Sequence, residues 1–174
     1  MAAQNGMDKM FYRVEGRELT LERTFQAPRS LVFQAFSNPE HLKRWFSPSG
    51  WTLSIFNFEF RPGGTWHYCM KCTDESQPYY GNESWGKAIY HEIAEPERIV
   101  YSDAFSDAEG SVNEEMPAAM ITLTFVEEGD KTTKLVNHAQ YLSADALQAV
   151  LDMGMLQGVT DTWNRLEEML AELQ

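Results

Sequence analysis

The sequence predicts an α+β domain in which helices cover one face of an antiparallel sheet. Three observations lead there. From Asp152 to Gln174, Leu156, Val159, Trp163, Leu166, Leu170 and Leu173 recur at spacings of three and four along one side of a helix. Gln157, Asp161, Glu167, Glu168 and Glu172 take the other side. Between Trp51 and Tyr141 the chain reads instead as successive strands, separated by turn chemistry such as Pro62-Gly63-Gly64, Glu95-Pro96-Glu97 and Glu128-Gly129-Asp130. Connections this short join antiparallel neighbours, because parallel strands need long crossovers.

At 174 residues and 43% hydrophobic, the chain suits one domain burying about 70% of its unfolded surface. Residues 1–17 read as an N-terminal tail, partly flexible, and 18–174 as the domain. Glu18 to Gln26 alternates as a half-buried strand, with Leu19, Leu21 and Phe25 on one side and Glu18, Thr20, Glu22 and Thr24 on the other. Ala27-Pro28 stops it. Pro28 opens a short helix with Leu31, Val32, Ala35 and Phe36 inward, and Pro39 opens a second with Leu42, Trp45 and Phe46 inward.

Six strands follow: Trp51 to Phe60, Thr65 to Cys72, Trp85 to Ala94, Arg98 to Phe105, Ala118 to Glu127 and Thr132 to Tyr141. Two connections are longer, Thr73 to Ser84 and Ser106 to Pro117, and their acidic, small polar composition suits solvated loops at the sheet rim. Ser143 caps a further helix, which bends at Met153-Gly154 before the long amphipathic one.

Charge and cysteines bound the function. Lys and Arg number 14 against 26 Asp and Glu, and the formal charge of −12 repels nucleic acid and anionic lipid. Cys69 and Cys72 make no disulfide framework, and no N-terminal apolar stretch reads as a signal peptide or span, so a reduced cytoplasmic setting is expected. Three residues apart on a strand, the two thiols face opposite sides and cannot share a metal. His67 and Cys69 share a face with His91 on a nearby strand, but without compact ligand spacing, so neither metal nor cofactor is expected.

Several motifs in order carry a resemblance. They are Thr24-Phe25-x-Ala27-Pro28, Asn38-Pro39-Glu40-His41-Leu42-x-x-Trp45, Arg61-Pro62-Gly63-Gly64-x-Trp66, Pro96-Glu97-Arg98-Ile99-Val100-Tyr101, Phe105-Ser106-Asp107-x-x-Gly110 and Met153-Gly154-Met155-x-x-Gly158. Together, from about Leu19 to Leu173, they resemble the bacterial homologues of the activator of the heat-shock protein 90 ATPase. Those are START-like (SRPBCC) proteins with a helix-grip fold similar to the birch-pollen allergen. Glu59 departs from the family's usual Asp but keeps the charge. The resemblance implies a curved antiparallel sheet wrapped around a long C-terminal helix, with a cavity between. It implies no single activity, since the superfamily holds lipid and hormone binders, cyclases and co-chaperones.

The richest chemical signal is aromatic. Trp45, Trp66, Trp85, Phe105, Met120, Met155 and Trp163 fall on elements that face the space between sheet and helix. Core packing accounts for each alone, while together they suit a cavity for a flat, apolar or aromatic ligand. Glu92, Asp103, His91 and His138 lie on strands, and each is either a structural polar position or, if it faces an apolar cavity, an acid or base. Arg61 reads as an anchor of its own turn through Glu59. The expectation is therefore a binder of a small apolar molecule without catalysis. A co-chaperone role in stress response, a cyclase- or hydrolase-like enzyme and a homodimer stay open.

Overall fold

The structure, a computed structural model, describes residues 4–7 and 9–174. The described residues form nine strands and four helices, in the order β1 (Gln4–Met7), β2 (Met10–Glu15), β3 (Glu18–Phe25), α1 (Arg29–Ser37), α2 (Pro39–Trp45), β4 (Trp51–Phe58), β5 (Thr65–Cys72), β6 (Glu83–Ala94), β7 (Arg98–Phe105), β8 (Ala119–Gly129), β9 (Thr132–Tyr141), α3 (Ala144–Asp152) and α4 (Met155–Glu172). The strands form one antiparallel sheet in the order β1-β2-β3-β9-β8-β7-β6-β5-β4. It curves around α4, the helix-grip arrangement that the resemblance implies.

Proline and asparagine chemistry sets the two short helices. Asn38 ends α1 in an extended conformation and also caps α2, its side chain accepting from the Glu40 N–H at 2.9 Å. Pro39 then occupies the first turn of α2, where a missing N–H removes no bond. Trp45 closes the pair by donating from Nε1 to Ala35 O at 2.9 Å, with its indole edge-on to Phe36.

The segment read as a tail contributes β1 and β2 to the sheet, and β2 pairs with β3 in the register Val14↔Leu19 and Tyr12↔Leu21. Gly16 turns this hairpin with φ 61°, a conformation that favours glycine. Residues 1–3 and Asp8 lie outside the described residues.

Helix α4 buries Thr160, Trp163, Leu166, Met169 and Leu170, while Leu156 and Val159 are half-buried nearer its start. Leu173 leaves the expected seam at 40% exposure, beyond the last helical turn. Several polar residues of α4 also bind rather than only face water. Arg23 of β3 is 2% exposed and donates to Asn164 Oδ1 at 2.7 Å and to the Glu167 carboxylate. Asp161 accepts from the Ser49 N–H at 2.9 Å, and Arg165 donates to Ser47 Oγ at 3.1 Å. These ties fix α4 to β3 on one side and to the α2–β4 connection on the other.

Candidate ligand cavity

Strand alternation builds the floor of the site. Tyr68, Gly86, Tyr101, Asp103, Ala119, Ile121, Ala139 and Tyr141 fall on the concave face in adjoining registers. Asp103 stands opposite Ala88 on β6 and Ala119 on β7's other neighbour, so small side chains flank it and leave space above the sheet. Met155, Val159 and Trp163 of α4, with Phe36, Trp45 and Phe46 from α1 and α2 and their exit, complete the enclosure of about 480 Å³.

Gly86 is required by what crosses it. A Cβ there would collide with the ring and hydroxyl of Tyr68, its cross-strand partner. The bare backbone lets Tyr68 lie across β6 and donate to Asp103 Oδ1 at 3.0 Å. Burial pushes the Asp103 carboxyl up to about 6, against the pull of the Tyr68 hydroxyl and the Ala104 N–H, which favour the ionised form. Burial and then the neighbouring Asp103 raise the phenols in turn: Tyr68 and Tyr101 well above their usual range, Tyr90 upward and Tyr141 to about 12. Asn137 lines the same cavity, and its buried Oδ1 has no hydrogen-bond partner in the protein.

The expected lining residues divide. Trp45, Phe105, Met155 and Trp163 all line the cavity. Trp85 contributes to the wall, but its position opposite Cys69 sets it on the other face, where its ring meets His67 at 5.4 Å and Phe56 at 4.9 Å. Trp66 is outside the lining: it faces inward but is packed among Phe46 at 4.8 Å, Phe58 at 6.0 Å and Tyr68 at 4.5 Å. Met120 points away from the cavity and is 40% exposed, because Ala119 and Ile121 take the inward register of β8.

Of the four acid–base candidates, Asp103 alone lines the cavity. Glu92 is half-buried and paired with Arg98, His91 contacts Ser102 Oγ at 3.3 Å, and His138 meets Glu18 Oε1 at 2.6 Å on the opposite face. Arg61 donates to Glu59 Oε2 at 2.9 Å, anchoring its turn. Cys69 and Cys72 are both buried free thiols. The Ser106–Pro117 connection is fastened to the outer face by His67 Nε2, which donates to Asp107 O at 3.0 Å, and by Lys87, which donates to Gly110 O at 3.1 Å. Its end, Pro117, reaches the cavity. Sequence reasoning did not anticipate the Tyr68–Asp103 pair or Asn137. The available signal was the inward parity of Asp103 with Tyr101 and Phe105, against the outward parity of His138 and His91.

A curved antiparallel sheet gripping a long helix around an apolar cavity places this chain in the helix-grip, START-like class of proteins. It belongs to the Activator of Hsp90 ATPase homolog 1-like protein family, whose model matches residues 26–171. Among solved structures, a Staphylococcus epidermidis protein is 28% identical with a TM-score of 0.78, over 94% of each chain. A Mycobacterium smegmatis protein is 27% identical with a TM-score of 0.78, over 90% of this chain and 96% of that one. An Arthrobacter aurescens protein at 22% identity supports the fold alone, with a TM-score of 0.82 over 98% of this chain and 91% of its own. No curated protein matches the chain. Among the described residues, no helix is long and apolar enough to cross a membrane.

Proposed function

We propose that this protein binds one small, largely apolar or aromatic molecule between the sheet and α4, and performs no chemistry on it. One observation carries the reading: a cavity of about 480 Å³ with predominantly apolar walls and few polar groups. Small-molecule sites of roughly 300–1,000 Å³ have this character. Among the described lining residues, Asp103 is the one carboxylate and no histidine, cysteine or lysine stands with it, so the site lacks a nucleophile with an adjacent base. The two free buried thiols suit a reduced, cytoplasmic setting.

Titration with the neutral probe naphthalen-2-ylmethanol tests this. Removing a few hundred Å² of apolar surface from water supports about micromolar affinity after association costs. Emission from Trp45 and Trp163, both at the cavity, should change on binding. Met155→Glu should abolish the change while circular dichroism stays native. Failure of the wild-type protein to bind this alcohol and its amine and carboxylate analogues alike would overturn the proposal. So would turnover of a compound found with the purified protein, if Asp103→Asn stopped it; that outcome would favour an enzyme.

A further inference from the structure

We propose that the ligand carries a protonated amine seated against Asp103, so that the cavity selects apolar cations over neutral and anionic molecules of the same shape. This rests on reading the cavity as a binding site. The charge arrangement supports it. Asp103 is the one carboxylate among the described lining residues, and none of those residues is lysine, arginine or histidine. The groups beside it are uncharged, Tyr68 on β5, Tyr90 on β6, Tyr101 on its own strand and Tyr141 on β9, and the α4 residues that line the same cavity, Val159, Thr162 and Trp163, bring no charge.

A carboxylate enclosed without a countercharge is unfavourable, and folding has already removed it from much of its water. An ammonium entering the cavity meets that charge in a low dielectric. A carboxylate ligand adds a like charge, and an alcohol supplies a hydrogen bond without neutralising anything. Tyr68, Tyr101 and Tyr141 line the same space, and aromatic rings beside a cation favour it further. Asn137 Oδ1, buried and without a donor, is a further acceptor elsewhere in the cavity, two strands away from Asp103, and no cationic side chain stands with it among the described lining residues.

Isothermal titration calorimetry at neutral pH with three probes on one skeleton reads this directly: naphthalen-2-ylmethanamine, naphthalen-2-ylmethanol and naphthalene-2-carboxylate. The amine should bind about tenfold or more tightly than the alcohol, as a charged hydrogen bond exceeds a neutral one, and the carboxylate should bind most weakly. Asp103→Asn, which still offers Tyr68 an acceptor, should erase the amine's margin over the alcohol. Tyr68→Phe should keep the margin, because the carboxylate remains. An amine no tighter than the alcohol would overturn this inference and leave the binding function standing, as would a margin that survives Asp103→Asn. If none of the probes binds, both fall. Should Asp103→Asn fail to fold, the wild-type ordering of the three probes decides the matter alone.

Discussion

Asp103 couples the protonation of the cavity to the stability of the fold. Its carboxyl rises from an ordinary 3.8 to about 6, chiefly through burial. The sign follows from proton counting. Between about pH 4 and 6 the folded protein holds a proton that the unfolded chain has released, so stability falls as pH rises through that window. Above it, the ionised buried group costs about 2 to 3 kcal/mol relative to its protonated form. Asp103→Asn should therefore be more stable than wild type at pH 7.5 and lose that advantage near pH 4. Urea unfolding of both proteins at the two pH values measures the difference, and parallel pH profiles would contradict the assignment. Gly86 belongs at the same scale, since the orientation of Tyr68 toward Asp103 depends on its missing side chain.

At the scale of elements, α4 is both a core helix and the roof of the cavity. Trp163 is 3% exposed, lies edge-on to Phe25 at 6.1 Å, and lines the cavity. Trp163→Ala should cost about 3 to 5 kcal/mol. Arg23→Ala should also destabilise, by about 2 kcal/mol or more, because it strips Asn164 and Glu167 of their partner beneath the helix. Lys9→Ala, which removes an exposed pair with the same Glu167, should cost under about 1 kcal/mol. Thermal or denaturant midpoints of the three variants give the ranking.

The register of α4 was legible because five of its seam residues, Leu156, Val159, Trp163, Leu166 and Leu170, recur in one helical stripe. The bounds of β5, β7 and β9 were legible because turn residues punctuate them, whereas β6 begins two residues earlier than expected, at Glu83, and β8 runs on through Gly129, which reads as a turn residue. Other features were hidden by residue type. Arg23 reads as a solvated charge, yet its parity with Leu21 and Phe25 turns it inward, where α4 supplies partners no local pattern announces. Strand β2 was missed although Glu15-Gly16-Arg17 between two alternating runs is a hairpin signal. Met120 was misplaced by its apolar character; the run Ala119, Ile121, Leu123, Phe125 already sets the opposite face inward. Trp66 satisfied the parity rule but lies too deep among other rings, and parity says nothing of depth.

At the scale of the molecule, the decisive contact joins distant parts of the chain. Strand β3 pairs with β9 along its whole length, Glu18↔Gln140 through Phe25↔Thr133, and Leu19 and Leu21 of β3 form part of the cavity floor. The cavity is therefore complete only after the least local pairing in the sheet has formed. Such topologies fold in milliseconds to seconds, because chain closure precedes the contacts that reward it. A transition state lacking the β3–β9 seam would hold no site, so a bound molecule would have no purchase on the barrier from the unfolded side. In stopped-flow measurements, saturating naphthalen-2-ylmethanol should leave the refolding limb of the chevron unmoved and slow the unfolding limb. Equal acceleration of refolding would place the seam, and the cavity with it, early on the route. The occupant then protects a finished protein from opening and gives no help to one still assembling, so its kinetic signature is residence of the native state.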